Sequence, residues 1–283
     1  MIDVRVLASG SSGNSVFVRC NDTRLLFDCG ISTRRITKAL QEIGEDPTEL
    51  DALFLTHEHI DHINALPVLG RKHGNLNVFA TKGTLKDTRR RLKIDLQGNV
   101  IAAGQPVRLR DFCITPFATS HDGFEPVGYR IEAEGCAMAV ATDLGFAPRD
   151  VTDSLAGCRL IVLEANHNEE MLKNGPYPAF LKRRIASKRG HLSNRQTCEL
   201  VRKIDSTNLE HIILAHLSEE NNTPEQALSE VGAALNSLPK IELTVAARHQ
   251  PGPLYRLDGE GRETEVIEDP AARQCHLPFA KTS

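Results

Sequence analysis

Short apolar runs separated by turn residues predict strands through much of the chain, most densely in its first third. The strands are predicted at 4–8, 15–19, 25–28, 52–56, 107–109, 113–117, 129–132, 137–142, 160–164, 211–214 and 241–245. A helix is predicted at 32–43, because Ser32 suits an N-cap and Gly44 follows the last turn. A second helix is predicted at 62–72, although Pro67 falls inside it.

The order of these elements indicates an α+β fold. Two strand-rich stretches are separated and flanked by helices, which favours two sheets packed face to face with helices outside. No sequence repeat or linker divides the chain, so a single domain is predicted at 1–260. The polar, proline-containing stretch 261–283 is predicted to be a loose C-terminal tail.

The composition of the chain favours one cellular compartment but gives little indication of a binding partner. The 283 residues are 40% apolar and 25% charged, the usual mixture of a water-soluble globular protein. No apolar run approaches the roughly 20 residues that cross a bilayer, and the N-terminus does not resemble a signal peptide. Seven cysteines, an odd number without a CxxC pair, favour reduced thiols in the cytoplasm. The net charge of −3 gives no general attraction to nucleic acid or membrane.

The segment LFLTHEHIDH concentrates histidines and acids directly after an apolar run. Its polar side chains include His57, His59, Asp61 and His62. A loop can turn the first two toward one point and the last two toward a neighbouring point. Imidazoles and carboxylates without a thiolate are ligands that zinc, manganese and iron accept. The spacing H-x-H-x-D-H therefore predicts a metal site at the end of a buried strand.

This motif resembles the signature of the metallo-β-lactamase superfamily, whose fold is an αββα sandwich of two mixed sheets. The other superfamily positions match Asp28 in LLFDCG, His121 in TSHD, Asp143 in ATDLG and His216 in LAHLS. The resemblance implies two divalent ions per chain, zinc or manganese, with iron as a further option. It assigns them the ligands His57, His59 and His121 for one ion, Asp61, His62 and His216 for the other, and Asp143 between them. Asp28 is expected to orient a ligand histidine.

Further strings are similar to those of the single-domain YycJ/WalJ-type nucleases. They are LASGSSGNS near the start, NHNEEML, GPYP, LKRRI and GHLSN in the middle, and LAHLSEENN later. Too few residues separate Asp143 from His216 for the extra domain of β-CASP nucleases. His59 stands where the flavo-diiron branch has glutamate, which favours a hydrolase. The resemblance implies 5′-to-3′ exonuclease activity on DNA.

A basic segment supports a phosphate-rich substrate. Residues 171–198 contain no acid but include Lys173, Lys182, Arg183, Arg184, Lys188, Arg189 and Arg195. Local positive charge of this kind is what binding to a phosphate backbone requires. We expect Arg183 and Arg184 to contact nucleic acid. The alternative is a solvated helix face without a partner.

Other polar residues are candidates for substrate contact or catalysis. Ser11, Ser12 and Asn14 lie in SGSSGNS, which could form a backbone nest for phosphate or a simple hairpin turn. His191 and His167 are candidates for contact with the leaving group or the phosphate. Asp61 is expected to accept the proton of the attacking water, so Asp61 and His191 are the predicted catalytic residues.

The sequence therefore predicts a metal-dependent phosphodiesterase, a 5′-to-3′ exonuclease that hydrolyses DNA through a hydroxide activated by two metals. DNA is favoured over RNA as substrate. One alternative is a small-molecule hydrolase of the same fold, acting on a cyclic or phosphorylated diester, a thioester or a lactone. Another is a non-catalytic, metal-stabilised module that binds nucleic acid, although a structural metal site needs only four ligands. The sequence leaves the native metal and the oligomeric state open.

Overall fold

Two mixed β-sheets pack face to face in the computed structural model, which describes residues 1–74, 76–235, 241–259 and 263–267. Within these residues, the first sheet has eight strands in the spatial order β15 (Glu265–Ile267), β14 (Leu254–Leu257), β1 (Ile2–Ala8), β2 (Ser15–Cys20), β3 (Thr23–Phe27), β4 (Ala52–Phe54), β5 (Asn77–Thr81) and β6 (Asn99–Ile101). The second has seven, in the order β13 (Glu242–Val245), β12 (His211–Ala215), β11 (Leu160–Glu164), β10 (Cys136–Ala141), β9 (Val127–Ala133), β8 (Phe112–Ala118) and β7 (Val107–Leu109).

Helices cover the outer face of each sheet. They are α1 (Thr33–Gln41), α2 (Ile60–Ile63), α3 (Leu66–Lys72), α4 (Lys82–Leu92), α5 (Arg149–Leu155), α6 (Glu169–Asn174), α7 (Ala179–Ile185), α8 (Asn194–Val201) and α9 (Pro224–Leu235), with a 3₁₀ turn at Pro47–Glu49. Apolar residues of α1, α3 and α4 pack on the first sheet, and those of α5, α8 and α9 pack on the second. The layers are therefore αββα, and the predicted fold class is confirmed. Among the described residues, no helix has both the length and the apolarity that a membrane crossing requires.

The inner faces of the two sheets form the central core. Aromatic rings are prominent in it: Phe54 stacks on Phe27 and Phe79 at centroid distances of 5.3 and 4.7 Å. Tyr129, from the facing sheet, contacts Phe27 and Phe54 and donates its hydroxyl hydrogen to Leu55 O at 2.5 Å. Since aromatic rings bury large areas and prefer such geometries, they join the sheets firmly just below the segment that follows β4.

Each predicted strand corresponds to a strand in the structure, with ends that differ by a few residues at most. The predicted helix at 62–72 is instead two helices, because the chain breaks after α2 and Pro67 lies in the first turn of α3, where no N–H is needed. The strands β5, β6, β14 and β15 were not predicted. β15 lies within the predicted tail 261–283, of which 261–262 and 268–283 fall outside the described residues.

Parallel pairing determines where the polar motifs lie. β3, β4, β5 and β6 run parallel in the first sheet, and β10, β11, β12 and β13 run parallel in the second. The carboxyl ends of parallel strands share an edge, and this is where open α/β sheets place their ligands. The motifs that follow β3, β4, β10, β11 and β12 are thus brought together.

Candidate metal centre

Three polar residues at the centre lie within two residues of the carboxyl ends of strands and have an unusual backbone conformation. Asp28, Asp143 and His216 have φ angles of 59°, 60° and 56°. Residues other than glycine seldom adopt this left-handed region, and such positions cluster at functional sites. The abrupt turn at each strand end directs these side chains across the shared edge instead of along the sheet.

The loop that carries the HEHIDH motif is held against its neighbours by backbone contacts. Asn14 N donates to Asp61 O at 2.8 Å, and Cys29 N donates to His62 O at 2.8 Å. Gly30 lies directly beneath this loop, where an added Cβ atom would stand 1.6 Å from Asp61 O. Only glycine allows so close an approach. The motif is therefore positioned by the first sheet before any ligand binds.

Two groups of side chains converge at this edge. In the first, His57, His59 and His121 each offer a ring nitrogen within 4.8 Å of the others. In the second, Asp61, His62 and His216 do the same, and Asp61 Oδ2 lies 3.4 Å from His216 Nε2 and 3.5 Å from His62 Nε2. These are the two ligand sets that the sequence predicted.

Asp143 lies between the two groups. Its Oδ2 is 3.3 Å from His62 Nε2, and its Oδ1 is 3.5 Å from His121 Nε2. His57 Nε2 is buried and has no hydrogen-bond partner, and Asp143 Oδ2 is buried with no hydrogen bond beyond its ion-pair contact with His62. Since buried polar atoms are nearly always satisfied, these two atoms need a partner that the protein does not supply. The donor set and its orphaned atoms fit divalent metal binding.

The charges in the centre also favour binding of a divalent cation. Burial opposes ionisation of Asp143, but the charges of His216 and His62 outweigh it and hold its pKa well below the usual value. Burial also opposes protonation of His216, yet Asp143, Asp61 and Glu164 raise its pKa to about 10. The carboxylates thus draw positive charge into a buried site. A divalent cation can take the place of these protons.

Residues behind the ligands fix the orientation of the rings. Asp28 Oδ2 lies 2.7 Å from His62 Nδ1, as expected for a residue that orients a ligand histidine, and also accepts from Thr56 Oγ1 at 2.8 Å. Gly190 O lies 2.9 Å from His121 Nδ1. With Nδ1 engaged in each case, Nε2 is left to face the centre, a common arrangement around metal-bound histidine.

Glu164 is a central residue that the sequence analysis did not identify. It is fully buried at the end of β11, and its Oε1 lies 2.8 Å from His191 Nδ1 and 3.0 Å from His216 Nδ1. Its Oε2 accepts the backbone N–H groups of Leu144 and Leu192. Burial opposes its ionisation, but these imidazoles lower its pKa to about 2. An acid at the end of an apolar strand was the available signal, whereas Asp28 and Asp143 were assigned through the family resemblance.

Asp122 is the second residue that the sequence analysis missed, although it follows His121 in the TSHD string. Its Oδ1 is 3.3 Å from His121 Nε2 and 3.4 Å from His59 Nε2. Its Oδ2 accepts from Arg184 Nε at 2.7 Å. Asp122 therefore ties a predicted substrate-binding arginine to the rim of the metal centre.

The remaining predicted contacts differ in their access to solvent. Ser11 and Ser12 are exposed, whereas Asn14 is buried, with its Nδ2 atom 3.2 Å from His62 Nε2. Asn14 Oδ1 also accepts from Gly10 N, so this side chain holds the hairpin loop closed. His167 is buried beside β11, and burial lowers its pKa to about 4. Arg183 is exposed on α7.

Comparison with known proteins identifies the family. The model of the β-lactamase superfamily domain matches residues 23–217. Exodeoxyribonuclease WalJ of Streptococcus pneumoniae strain D39 is 36% identical over 226 residues, which cover 78% of this chain and 84% of the relative. Exodeoxyribonuclease YycJ of Bacillus anthracis is 33% identical over 233 residues, 81% of this chain and 88% of the relative.

Solved structures show the same fold. The metallo-β-lactamase fold protein YhfI from Bacillus subtilis superposes with a TM-score of 0.67 at 17% identity, covering 88% of this chain and 98% of YhfI. The family model spans Asp28 and the predicted ligands from His57 to His216. The chain therefore belongs to the metallo-β-lactamase superfamily.

Proposed function

We propose that the protein is a metal-dependent exodeoxyribonuclease that degrades DNA in the 5′-to-3′ direction with two divalent ions, zinc or manganese. The observation that carries this proposal is a histidine held by a buried glutamate, His191 on Glu164, beside the converging metal ligands. The similarity to proteins named exodeoxyribonucleases supports DNA as the substrate. The six cysteines among the described residues are free thiols, which fits a cytoplasmic location.

Each ion has its own ligand group. His57, His59 and His121 would hold one, Asp61, His62 and His216 would hold the other, and Asp143 would contact both. Bound divalent ions would lower the pKa of a water molecule and so supply a nucleophile at neutral pH. Iron remains compatible with the same donors.

Asp61 suits the role of proton acceptor. Its side chain is 20% exposed, whereas those of His62 and His216 are nearly inaccessible. Burial works against its ionisation, but His62 and His216 hold the pKa of Asp61 well below its usual value. An ionised carboxylate that reaches the surface of the centre can take the proton of an attacking water.

His191 suits the role of proton donor to the leaving group. Glu164 faces its Nδ1 atom, so the other ring nitrogen is free for the substrate. A buried carboxylate that fixes the tautomer and the ring position is the arrangement that hydrolases use to orient a catalytic histidine. The ring lies beside the metal ligands, with its centroid 4.8 Å from that of His121 and 5.0 Å from that of His216.

Cleavage of labelled oligonucleotides tests the proposal directly. Single- and double-stranded DNA and RNA, labelled at either end, should be incubated with protein of measured metal content. We expect close to two ions per chain and stepwise shortening of DNA from its 5′ end. Hydrolysis of small diesters, thioesters or lactones without degradation of DNA would instead favour a small-molecule hydrolase. DNA binding without turnover by the metal-loaded protein would favour a non-catalytic module.

The salt dependence of binding tests the proposed contacts of Arg183 and Arg184. Their joint replacement by alanine should weaken DNA binding and reduce the slope of log K against log salt by about one per lost phosphate contact. A matched control replaces Arg202 and Lys203, which are exposed at the end of α8 far from its start beside the site. If the two double variants have equal slopes of log K against log salt, the basic segment is a solvated surface that does not contact DNA.

A further inference from the structure

A cavity of about 250 Å³ opens next to the metal ligand His121 and the proposed proton donor His191. Polar groups form its floor, including Asn166 and Ser218. One wall is different, because it consists of the apolar side chains of Tyr177, Leu181 and Ile185. The cavity thus joins the reacting centre to an apolar surface.

Leu181 and Ile185 belong to α7, a helix with no buried residue, and Tyr177 lies just before its N-cap Pro178. Leu181 and Ile185 are only half-buried, since they face the cavity and have no protein core to cover them. The helix is fastened at its C-terminal end instead: Arg184 pairs with Asp122, and Ile185 O accepts from His191 N at 2.9 Å. An apolar face held in this way beside a catalytic histidine is available to a ligand.

Apart from the imidazoles of His121 and His191, Tyr177 is the one aromatic ring among the described residues that line the cavity. It stands between Pro176 and Pro178 in the GPYP string. Proline fixes its own φ angle and also restricts the residue before it, so the backbone around Tyr177 has little freedom. The ring is half-buried and loses little entropy when a flat ligand stacks on it.

We infer that this cavity binds the base of the nucleotide being released, and that Tyr177 stacks on that base. The inference rests on the proposed 5′-to-3′ exonuclease activity. In that reaction water adds to phosphorus, the bond from phosphorus to the 3′-oxygen of the terminal nucleotide breaks, and His191 gives that oxygen its proton. The terminal nucleotide must therefore lie beside His191, where the cavity is.

The dimensions and charges of the cavity fit one nucleotide. Its volume lies just below the roughly 300–1,000 Å³ of sites for drug-sized ligands, which suits a group as small as one base. Arg184 lines the same cavity, paired with Asp122, and its exposed guanidinium has further N–H groups to offer to a phosphate. A stacking aromatic beside basic residues is how proteins bind unpaired nucleotides without reading their sequence. The terminal nucleotide thus leaves its duplex before it reacts.

A double-mutant cycle between protein and DNA tests this stacking. The substrate is a 5′-phosphorylated single strand, prepared with and without the base of its first nucleotide. For intact DNA, Tyr177→Ala should lower kcat/KM about 5- to 150-fold, the span that loss of one base-stacking aromatic produces. For DNA that lacks the first base, the same substitution should change kcat/KM by less than about twofold, since no stacking remains to be lost.

Two further variants separate stacking from structure. Tyr177→Phe keeps the ring and should stay within about threefold of wild type on intact DNA. Phe180→Ala is the matched control, because Phe180 lies on α7 but is 67% exposed outside the cavity; it should have no effect. Wild-type protein alone should also degrade the strand without its first base at least about fivefold more slowly.

Other outcomes would overturn the inference. An equal loss on both substrates for Tyr177→Ala, or no loss on either, would mean that Tyr177 does not stack on the first base. An effect of Phe180→Ala as large as that of Tyr177→Ala would mean that α7 acts as a whole. Wild-type protein that does not shorten DNA would refute the proposed function itself. If DNA is shortened but the effect of Tyr177→Ala does not depend on the first base, the stacking alone is refuted.

Discussion

Replacement of Glu164 by glutamine should disable the proton donor while leaving most of the metal centre in place. The carboxylate has four partners: Oε2 accepts two backbone N–H groups, and Oε1 faces the Nδ1 atoms of His191 and His216. An amide has one accepting oxygen. If that oxygen keeps the hydrogen bonds from the two backbone N–H groups, the NH₂ group faces the Nδ1 atoms of both imidazoles. An NH₂ group cannot accept a hydrogen bond from an Nδ1–H group, so donor would face donor.

The magnitude follows from these contacts. Each buried donor left unsatisfied costs about 1–3 kcal/mol, so the free energy of unfolding should fall by about 2–4 kcal/mol after relaxation. Weaker orientation of the proposed ligand His216 should cost about 10- to 100-fold in activity. Loss of proton donation by His191 should bring the total fall in kcat on DNA to about 10²- to 10⁴-fold. The effects on His216 and His191 do not simply multiply, because both act through Glu164.

The assay compares two leaving groups. DNA expels a poor alkoxide that needs a proton, whereas a p-nitrophenyl phosphodiester expels a stable phenolate that does not. Glu164→Gln should therefore slow hydrolysis of DNA much more than hydrolysis of the p-nitrophenyl ester. His191→Ala should show the same contrast. Unfolding by urea measures the change in stability separately.

Glu58→Gln is the matched control for this prediction. Glu58 is also fully buried, and both its oxygens accept from Phe124 N, at 3.0 and 3.2 Å. Glutamine retains one oxygen for that bond, so activity should remain within about tenfold of wild type. The reasoning is refuted if Glu164→Gln behaves like this control, or if it slows both substrates equally.

Three other predictions concern the metal centre. Asp28→Ala should weaken metal binding about 10- to 100-fold in a chelator competition, because His62 loses the carboxylate that orients it; unchanged affinity would contradict this role. The pKa of His216 is raised to about 10 and that of His62 well above its usual value, so metal must displace their protons and affinity should rise with pH. A flat titration between about pH 6 and 8 would disprove that linkage. Gly30→Ala should lower the free energy of unfolding by about 3 kcal/mol, because its Cβ meets a backbone oxygen at 1.6 Å. Gly70→Ala in α3, with open space around it, should change it by less than about 1 kcal/mol in the same urea titration.

Local sequence patterns were sufficient for most of the elements that carry the site. β7 and β11 have the predicted bounds, and α1 begins after its predicted cap Ser32, whose side chain accepts from Arg35 N. These features depend on neighbours along the chain, which a sequence displays directly. β14 and β15 were missed because their evidence is not local. β14 pairs with β1 through partners such as Ile2 and Leu257, at opposite ends of the chain.

The sequence by itself predicted a metal site, because a costly cluster such as HEHIDH after a buried strand has few explanations other than metal, and the family resemblance supplied the other predicted ligands. The αββα fold followed from the resemblance that this cluster carries. Only the tertiary structure decided what surrounds the ligands. Glu164 reads as an ordinary strand end until folding places two imidazoles against it. Likewise, Tyr177 reads as a turn residue until α7 closes one wall of a cavity beside His191. The spacing of the motif residues can be read directly from the sequence. Hydrogen bonds and cavities form between segments that are distant in sequence, and only the packing of these segments brings their atoms together.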